Sequence, residues 1–338
     1  MLVRDLDLGT DPKINAIVRI IQRISPDILI LNDFDYDAGT VALGLFAGLI
    51  AQGGKAYPFR FSARPNAGMA TGLDMDGDGR FAGPDDAQAF GRFSGAGGMA
   101  VLSRLPIDDA AVRDFSNLLW KDVPGAQLPR RGDAPFLSAK ARDIQRLSSK
   151  GHWDVPVTLP WGQVIHLLVS NPVPPVFDGP ENRNGLRNRD EIRFWYLYLD
   201  RLAIPGTAEF GGGAFVLAGD LNADPMDGAG SHAAVTRLLT HPKIRDPLPA
   251  SLGAVQAAQR QAGPNTGQKS DPAFDTVDWD ETRTPGNMRV DYVLPSRDLK
   301  VTGAGVFWPA PDQDGYDLVG SNGDVGSHHR LVWLDVAR

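Results

Sequence analysis

The sequence predicts an α/β fold in which β-sheets are covered by helices, and three patterns support this prediction. The first is an amphipathic helix that Asp11 or Thr10 can cap, with Pro12 in its first turn. The second is a buried strand at residues 28–31, directly after that helix. The third is another amphipathic helix at residues 191–202. The apolar positions follow helical spacing in both helices: Ile14, Ile17, Val18, Ile21 and Ile24 in the first, and Ile192, Trp195, Tyr196, Leu199 and Leu202 in the second.

Further apolar runs predict the other strands of these sheets. Long polar stretches separate them, at residues 64–98, 124–151 and 249–287. We interpret these stretches as functional or covering loops of one domain, because the strands on either side belong to one sheet system. The predicted strands are residues 98–104, 164–170, 214–217, 288–294 and 327–333.

The composition is that of a globular protein with a large core and an acidic balance. The chain has 338 residues, is 42% hydrophobic and carries a formal net charge of -7. Strong non-specific binding to duplex DNA needs many Lys and Arg contacts to phosphates, so this charge argues against bulk nucleic acid, although a local basic cleft can coexist with it. The absence of cysteine excludes disulfides, zinc–thiolate sites and a cysteine nucleophile. No apolar run is long enough to predict a membrane span.

The most informative segment is the Gly-Asp-x-Asn pattern after the apolar run 214–217. It delivers Asp220 and Asn222 to the same side of the chain at a sheet edge, because alternate residues of a strand share a face. A carboxylate and a carboxamide in this arrangement can hold a divalent metal and orient a water or a phosphoryl oxygen. The alternative interpretation is a strand that simply ends in an Asx-turn.

An acidic segment in the first long polar stretch has the spacing of an EF-hand-like calcium loop. Asp74, Asp76 and Asp78 occupy the alternate acidic positions, and Gly79 lies at the turn. Asp85 falls at the last ligand position, where Asp is shorter than the usual Glu. The pattern predicts a structural calcium ion that fixes the loop. The alternative is a turn-rich acidic loop that binds nothing.

Several short motifs recur in order along nearly the whole chain, from about Asp11 to Leu334. They are L-N-D-F-D-Y-D at 31–37, G-L-D-M-D-G-D-G at 72–79, P-P-V-F-D-G-P at 174–180, G-D-L-N at 219–222, R-V-D-Y at 289–292 and S-H-H-R at 327–330. In this order they resemble the endonuclease/exonuclease/phosphatase family of metal-dependent phosphoesterases, and most closely a bacterial, often secreted subgroup.

The resemblance implies a four-layered α/β/β/α sandwich, in which two mixed β-sheets pack face to face with outer helices and the site lies at one edge. It implies one domain over residues 1–338, with residues 64–98 as a long loop insertion. The chain begins in the loop after the family's first strand, so that strand is expected to be lacking. A start upstream of Met1 would restore it together with a signal peptide and an extracytoplasmic location, whereas a true start at Met1 implies a cytoplasmic protein.

The resemblance also assigns chemistry to four intact positions. His329 is expected to pair with Asp291, which would fix the tautomer of the imidazole and stabilise its charged form. Asp220 and Asn222 are expected to orient the attacking water and the phosphate. Arg189, predicted in a polar loop before the second helix, is a candidate to face a phosphate.

Three positions depart from the family pattern. Asp33 stands where the family has a metal-binding Glu, so a carboxylate is kept on a shorter side chain. Asn171 stands where the family has a second catalytic His, and an asparagine cannot transfer a proton. His328 stands where an Asp precedes the last His, which weakens a magnesium or calcium site there and suits zinc or manganese.

The expected function is metal-dependent hydrolysis of a small phosphomonoester or phosphodiester by direct attack of water, with magnesium or manganese at the active site. Long duplex DNA is not the favoured substrate. The alternative is a catalytically weakened or inactive scaffold that binds a phosphorylated ligand, a metal or a partner. The sequence does not indicate the oligomeric state.

Overall fold

The predicted α/β class is confirmed by the computed structural model, which describes residues 2–279, 282, 285–321 and 325–338. The helices are α1 (Leu2–Leu8), α2 (Pro12–Ile24), α3 (Val41–Gly53), α4 (Ala139–Ile144), α5 (Arg183–Leu199), α6 (His232–Leu239) and α7 (Leu252–Arg260). The strands are β1 (Ile28–Phe34), β2 (Phe59–Phe61), β3 (Gly98–Ser103), β4 (Arg113–Asp114), β5 (Arg130–Arg131), β6 (Ala134–Pro135), β7 (His152–Thr158), β8 (Val164–Ser170), β9 (Ala214–Asp220), β10 (Asp291–Pro295), β11 (Lys300–Phe307) and β12 (Leu331–Ala337).

The largest sheet has five strands in the order β10-β9-β8-β7-β4 and is mixed, because β8 and β9 run parallel while the other neighbours are antiparallel. The second sheet has the order β1-β3-β2 and is antiparallel throughout. The expectation of two mixed sheets was therefore wrong for this second sheet. Strands β1 and β2 run in the same direction but do not pair with each other, because β3 lies between them and is antiparallel to both. Two further pairs are formed by β11 with β12 and by β5 with β6.

Two cores flank the antiparallel sheet, and β3 contributes to both. Its Met99 and Val101 pack toward the five-stranded sheet, whereas Ala100 and Leu102 pack toward α2 and α3. This alternation is the expected consequence of the two-residue period of a strand. A third core lies between the five-stranded sheet and α5 and α6, where Trp195 is buried among aromatic neighbours. Helices α2 and α3 thus pack on the antiparallel sheet, and α5 and α6 pack on the five-stranded sheet.

Several predicted elements differ in their bounds, and three of these differences concern candidate site residues. Helix α5 begins eight residues before the predicted start at residue 191, because polar side chains in its first half are buried and hydrogen-bonded to neighbouring loops. Strand β10 begins at Asp291, so this residue lies at the strand end and not within it. Strand β12 begins at Leu331, which leaves His328 and His329 in the preceding loop. Among the described residues, no helix combines the length and apolarity needed to cross a membrane.

Candidate active site

The register of the five-stranded sheet gathers the predicted residues at one edge. Strands β8 and β9 are parallel, so Asn171 after β8 and Asp220 at the end of β9 leave the sheet side by side. Strand β10 is antiparallel to β9, and its first residue Asp291 lies directly opposite Asp220. Directly opposed residues have neighbouring side chains on one face. The strand register therefore brings the two carboxylates and the amide of Asn171 to the same edge of the sheet.

Gly219 allows β8 and β9 to approach this closely. Its φ is +151°, and a Cβ atom at this position would lie 1.9 Å from the carbonyl oxygen of Ser170. No side chain larger than hydrogen fits there without displacing the backbone. The glycine of the Gly-Asp-x-Asn pattern is thus required by the packing of the two strands that carry Asn171 and Asp220.

His329 and Asp291 form the expected pair. The Nδ1 of His329 lies 3.1 Å and 3.0 Å from the two carboxylate oxygens of Asp291. The hydroxyl of Thr276 donates to Asp291 Oδ2 at 2.9 Å, and the backbone N–H of Asp291 donates to the same hydroxyl oxygen. Burial of the ring favours its neutral form, but the carboxylates of Asp291 and Asp220 outweigh this and raise the pKa of His329. The two carboxylates therefore favour the charged imidazolium form of His329.

Asp220 is buried and held by Asn222. The backbone N–H of Asn222 donates to Asp220 Oδ1 at 2.8 Å, and its Nδ2 donates to Oδ2 at 3.0 Å. Burial and the nearby carboxylates of Asp291 and Asp33 raise the pKa of Asp220, against the opposing charge of His329. Asn222 adopts a φ of +51°, a conformation that Asn tolerates better than most residues. The asparagine thus fixes both oxygens of a carboxylate with enhanced basicity.

Asn171 presents an unpaired donor to the site. Its side chain is buried, and its Nδ2 has no hydrogen-bond partner among the described residues. Its Oδ1 lies 3.4 Å from Nδ2 of Asn222, so the free donor is directed elsewhere. A buried N–H group without an acceptor costs free energy, which a ligand oxygen at this position would recover.

Asp33 and Lys150 close the opposite wall of the site. Asp33 lies where the register between β1 and β3 shifts, and its φ is +52°. Such a bulge re-aims a side chain away from the regular alternation of the strand. Lys150 Nζ lies 3.5 Å from Asp33 Oδ1, and a Cβ atom on Gly97 would come within 2.7 Å of that nitrogen. Sequence reasoning did not identify Lys150, since only folding brings it beside Asp33.

Helix α5 positions the loops that carry these residues. Buried Glu191 accepts hydrogen bonds from the backbone N–H groups of Ser149, at 2.5 Å, and Val173, at 2.8 Å. It thereby connects the residue before Lys150 to the segment after Asn171. The guanidinium of Arg187 donates to the carbonyl oxygens of residues 146–148 on the same loop. The many polar residues at 182–191 are the sequence feature that could have indicated that this helix holds neighbouring loops.

A cavity of about 660 Å³ opens at this edge of the sheet. It is lined by Asp33, Lys150, Asn171, Asp220, Asn222 and His329 at one end. It extends between the 64–98 loop, the segment around residues 120–150 and the loop before α5. The residues with site chemistry therefore share one enclosure large enough for a small organic phosphate.

Other predicted site residues lie outside this cluster. The guanidinium of Arg189 pairs with Asp190 in helix α5, and Arg189 does not line the cavity. His328 is exposed, and its Nδ1 lies 2.7 Å from the carbonyl oxygen of Asp278, because the chain turns before β12. Neither residue lines the cavity that is lined by His329 and Asp220.

The acidic loop is a separate cluster. Asp74, Asp76 and Asp78 each offer a ligand atom within 4.8 Å of the others. Asp85 instead pairs with Arg183 at 2.7 Å and lines the cavity. The structure thus brings three of the four predicted calcium ligands together and engages the fourth in an ion pair.

The Endonuclease/Exonuclease/phosphatase family model matches residues 6–321. The chain belongs to this family. The predicted resemblance is thereby confirmed over nearly the whole length of the chain. A comparison with curated proteins gives no match.

Several solved structures of the endonuclease/exonuclease/phosphatase family are similar to this chain. A protein of that description from Beutenbergia cavernae DSM 12333 is 17% identical with a TM-score of 0.55, and the match covers 96% of this chain but 65% of that chain. A family protein from Leptotrichia buccalis C-1013-b is 16% identical with a TM-score of 0.49, over 96% of this chain and 93% of that chain. The 3' phosphatase NExo from Neisseria is 15% identical with a TM-score of 0.47, over 96% and 95% of the two chains.

Enzymes of the endonuclease/exonuclease/phosphatase family generally use a divalent metal, and this chain has acidic groups that can hold one. Burial and repulsion by the nearby carboxylates of Asp291 and Asp33 raise the pKa of Asp220. A divalent cation would relieve that repulsion. Carboxylate oxygens suit hard cations such as magnesium and manganese. Among the described residues at this site, Asp220, Asp291 and His329 each offer a ligand atom within 4.8 Å of the others.

Proposed function

We propose that this protein hydrolyses a small phosphomonoester or phosphodiester by direct attack of water. The observation that supports this most is the free buried Nδ2 of Asn171 beside the His329–Asp291 pair. An unpaired donor and an imidazolium converge on one cavity, and both are suited to the oxygens of a phosphoryl group. Carboxylates alone would repel such a ligand.

A divalent cation held by Asp33 and Asp220, either magnesium or manganese, would neutralise phosphoryl charge when bound. The side chains of the protein supply the remaining functions. The imidazolium of His329 stabilises charge on the phosphoryl oxygens, and Asn171 donates to one of them. Asp220, fixed by Asn222, orients the water and accepts its proton as the water oxygen attacks phosphorus and the bond to the leaving oxygen breaks. Lys150 adds positive charge on the side of Asp33.

The alternative is a scaffold that binds a phosphorylated ligand without turning it over. The Lys150–Asp33 ion pair favours this alternative, because the ammonium group competes with a metal for that carboxylate. Both functions use the same cavity, and they differ in whether a metal supports turnover.

A hydrolysis assay separates the two functions. We expect p-nitrophenyl phosphate or bis-p-nitrophenyl phosphate to be hydrolysed with magnesium or manganese and to be stable in the presence of a chelator. His329→Ala, Asp291→Ala and the double variant should lose similar activity, since residues that act as a unit are not additive. Full additivity of the two losses would refute the pair. Absence of metal-dependent turnover of either substrate would favour the binding scaffold.

A further inference from the structure

The cavity that is lined by Asn171, Asp220 and His329 is also lined by exposed aromatic rings. Phe177 is 86% exposed and Phe90 is 57% exposed, and both line the cavity. Leu137 and Pro174 add apolar surface to the same walls. Large apolar side chains left open to solvent beside a polar site indicate a binding surface for an apolar group.

The backbone of Phe177 is strained in a way that keeps its ring at the cavity. Its φ is +66°, which is unfavourable for a bulky residue. The turn that contains it is tied to the start of α5, because the backbone N–H of Asn184 donates to Asp178 at 2.6 Å and Asn184 Nδ2 donates to the carbonyl oxygen of Val176 at 2.7 Å. Asp33 and Asn222 also have positive φ and line the same cavity. Strain of this kind concentrates at functional sites.

Other charged groups that line the cavity already have partners. Arg183 pairs with Asp85 at 2.7 Å. Arg187 is buried and donates to backbone carbonyl oxygens. Lys150 pairs with Asp33 at 3.5 Å. The described lining thus offers rings and apolar surface rather than unpaired charge to the part of a ligand that lies away from the phosphate.

We propose that the ligand carries an uncharged aromatic ring on its phosphoryl group and that this ring packs against Phe177 and Phe90. The position of the phosphoryl group in this proposal rests on the proposed function. A cavity of about 660 Å³ holds one such molecule, since pockets for small ligands typically measure about 300–1,000 Å³. Ring-to-ring packing would make Phe177 and Phe90 specificity-determining residues.

Phosphonates test this proposal because their carbon–phosphorus bond is not hydrolysed. We would titrate phenylphosphonate, cyclohexylphosphonate and methylphosphonate into the protein with manganese present and measure the dissociation constants by calorimetry. We expect phenylphosphonate to bind about tenfold more tightly than methylphosphonate, and more tightly than cyclohexylphosphonate, because planar rings pack favourably on aromatic side chains. Equal affinity of phenylphosphonate and either other compound, or no binding of any of them, would overturn the proposal.

Three variants locate the preference. Phe177→Asn removes the ring but keeps a residue that tolerates positive φ, so folding is preserved. It should reduce the preference for phenylphosphonate about three- to tenfold, and Phe90→Ala should act in the same direction. Phe93→Ala is the matched control, because Phe93 belongs to the same loop and is 53% exposed but does not line the cavity. A preference that persists in both Phe177→Asn and Phe90→Ala, or that Phe93→Ala removes, would contradict the assignment.

Failure of this inference is distinguishable from failure of the proposed function. Turnover of phosphoesters without a ring preference would overturn the inference and leave hydrolysis intact. A ring preference that depends on Phe177 and Phe90 without any turnover would support the inference and overturn hydrolysis.

Discussion

At the scale of single residues, the candidate active site is defined by which polar atoms already have partners. Both oxygens of Asp220 accept hydrogen bonds from Asn222, and Nδ1 of His329 faces Asp291. The Nδ2 of Asn171 has no partner among the described residues. The hydrogen-bonded atoms fix the geometry of the site, and Asn171 and His329 both line the cavity.

Lys150 should contribute charge rather than fold stability. We expect Lys150→Met to lower kcat/KM by about 10²-fold, as removal of one stabilising donor does in other active sites. Its melting temperature should change little, because an ion pair of 3.5 Å with the exposed Asp33 contributes little to stability. Lys121→Met is the control, since Lys121 pairs with Asp143 away from the cavity. Similar activity of the two variants would exclude a role for Lys150.

Asn171 should make hydrolysis depend strongly on the acidity of the leaving group. An amide cannot protonate a leaving oxygen, so we expect p-nitrophenyl esters to react and alkyl esters to be nearly inert. Asn171→His should accelerate the alkyl ester preferentially, by up to about 10²–10⁴-fold, which is the typical contribution of general-acid catalysis. Steady-state rates on the two esters measure this. Equal gains on both would show that residue 171 acts through orientation or charge.

At the scale of elements, buried polar side chains connect helix α5 to the active-site loops. Asp190 accepts hydrogen bonds from Trp120 Nε1 and from the backbone N–H of Gln127, each at 2.8 Å. Glu191 holds Ser149 and Val173 from the next position of the helix. The polar residues that made this segment resemble a loop in sequence are therefore what attaches the helix to its surroundings.

The acidic loop stays a predicted calcium site. Asp74, Asp76 and Asp78 converge, and Asp85 would have to leave Arg183 to join them. We expect calcium to raise the melting temperature, because a ligand that binds only the folded state stabilises it. Asp76→Ala should abolish this rise in a thermal unfolding experiment, whereas substitution of the exposed Asp312 should not. An unchanged calcium response of Asp76→Ala would assign the effect to another site.

At the scale of the whole molecule, the acidic character of the chain extends into its interior. Asp275 is fully buried, and neither of its carboxylate oxygens has a hydrogen-bond partner among the described residues. Burial and the charges of Asp224, Asp227 and Asp271 raise its pKa from 3.8 to about 8. The folded protein therefore keeps this carboxyl protonated at a pH where the unfolded chain ionises it.

This carboxyl should make stability depend on pH. Its favourable contribution is present below pH 3.8 and is lost as the pH rises to about 8. We expect Asp275→Asn to gain free energy of unfolding relative to the wild type across this window, by a few kcal/mol at its upper end. Urea unfolding at several pH values measures the difference, with Asp298→Asn as an exposed control. A difference that does not vary with pH would contradict a protonated Asp275.

The sequence by itself determined the α/β class, the family and the residue types of the site. Apolar periodicity depends on local geometry, and the Gly-Asp-x-Asn, Arg-x-Asp-Tyr and Ser-x-His patterns are contiguous. Only the tertiary structure decided that Asp220 lies opposite Asp291, that Lys150 meets Asp33 and that Arg189 faces Asp190. These contacts depend on strand register, a bulge in β1 and the burial of polar side chains in α5. These contacts join segments that are far apart in the sequence, where buried backbone and side-chain groups must find hydrogen-bond partners. A local sequence pattern therefore does not predict them.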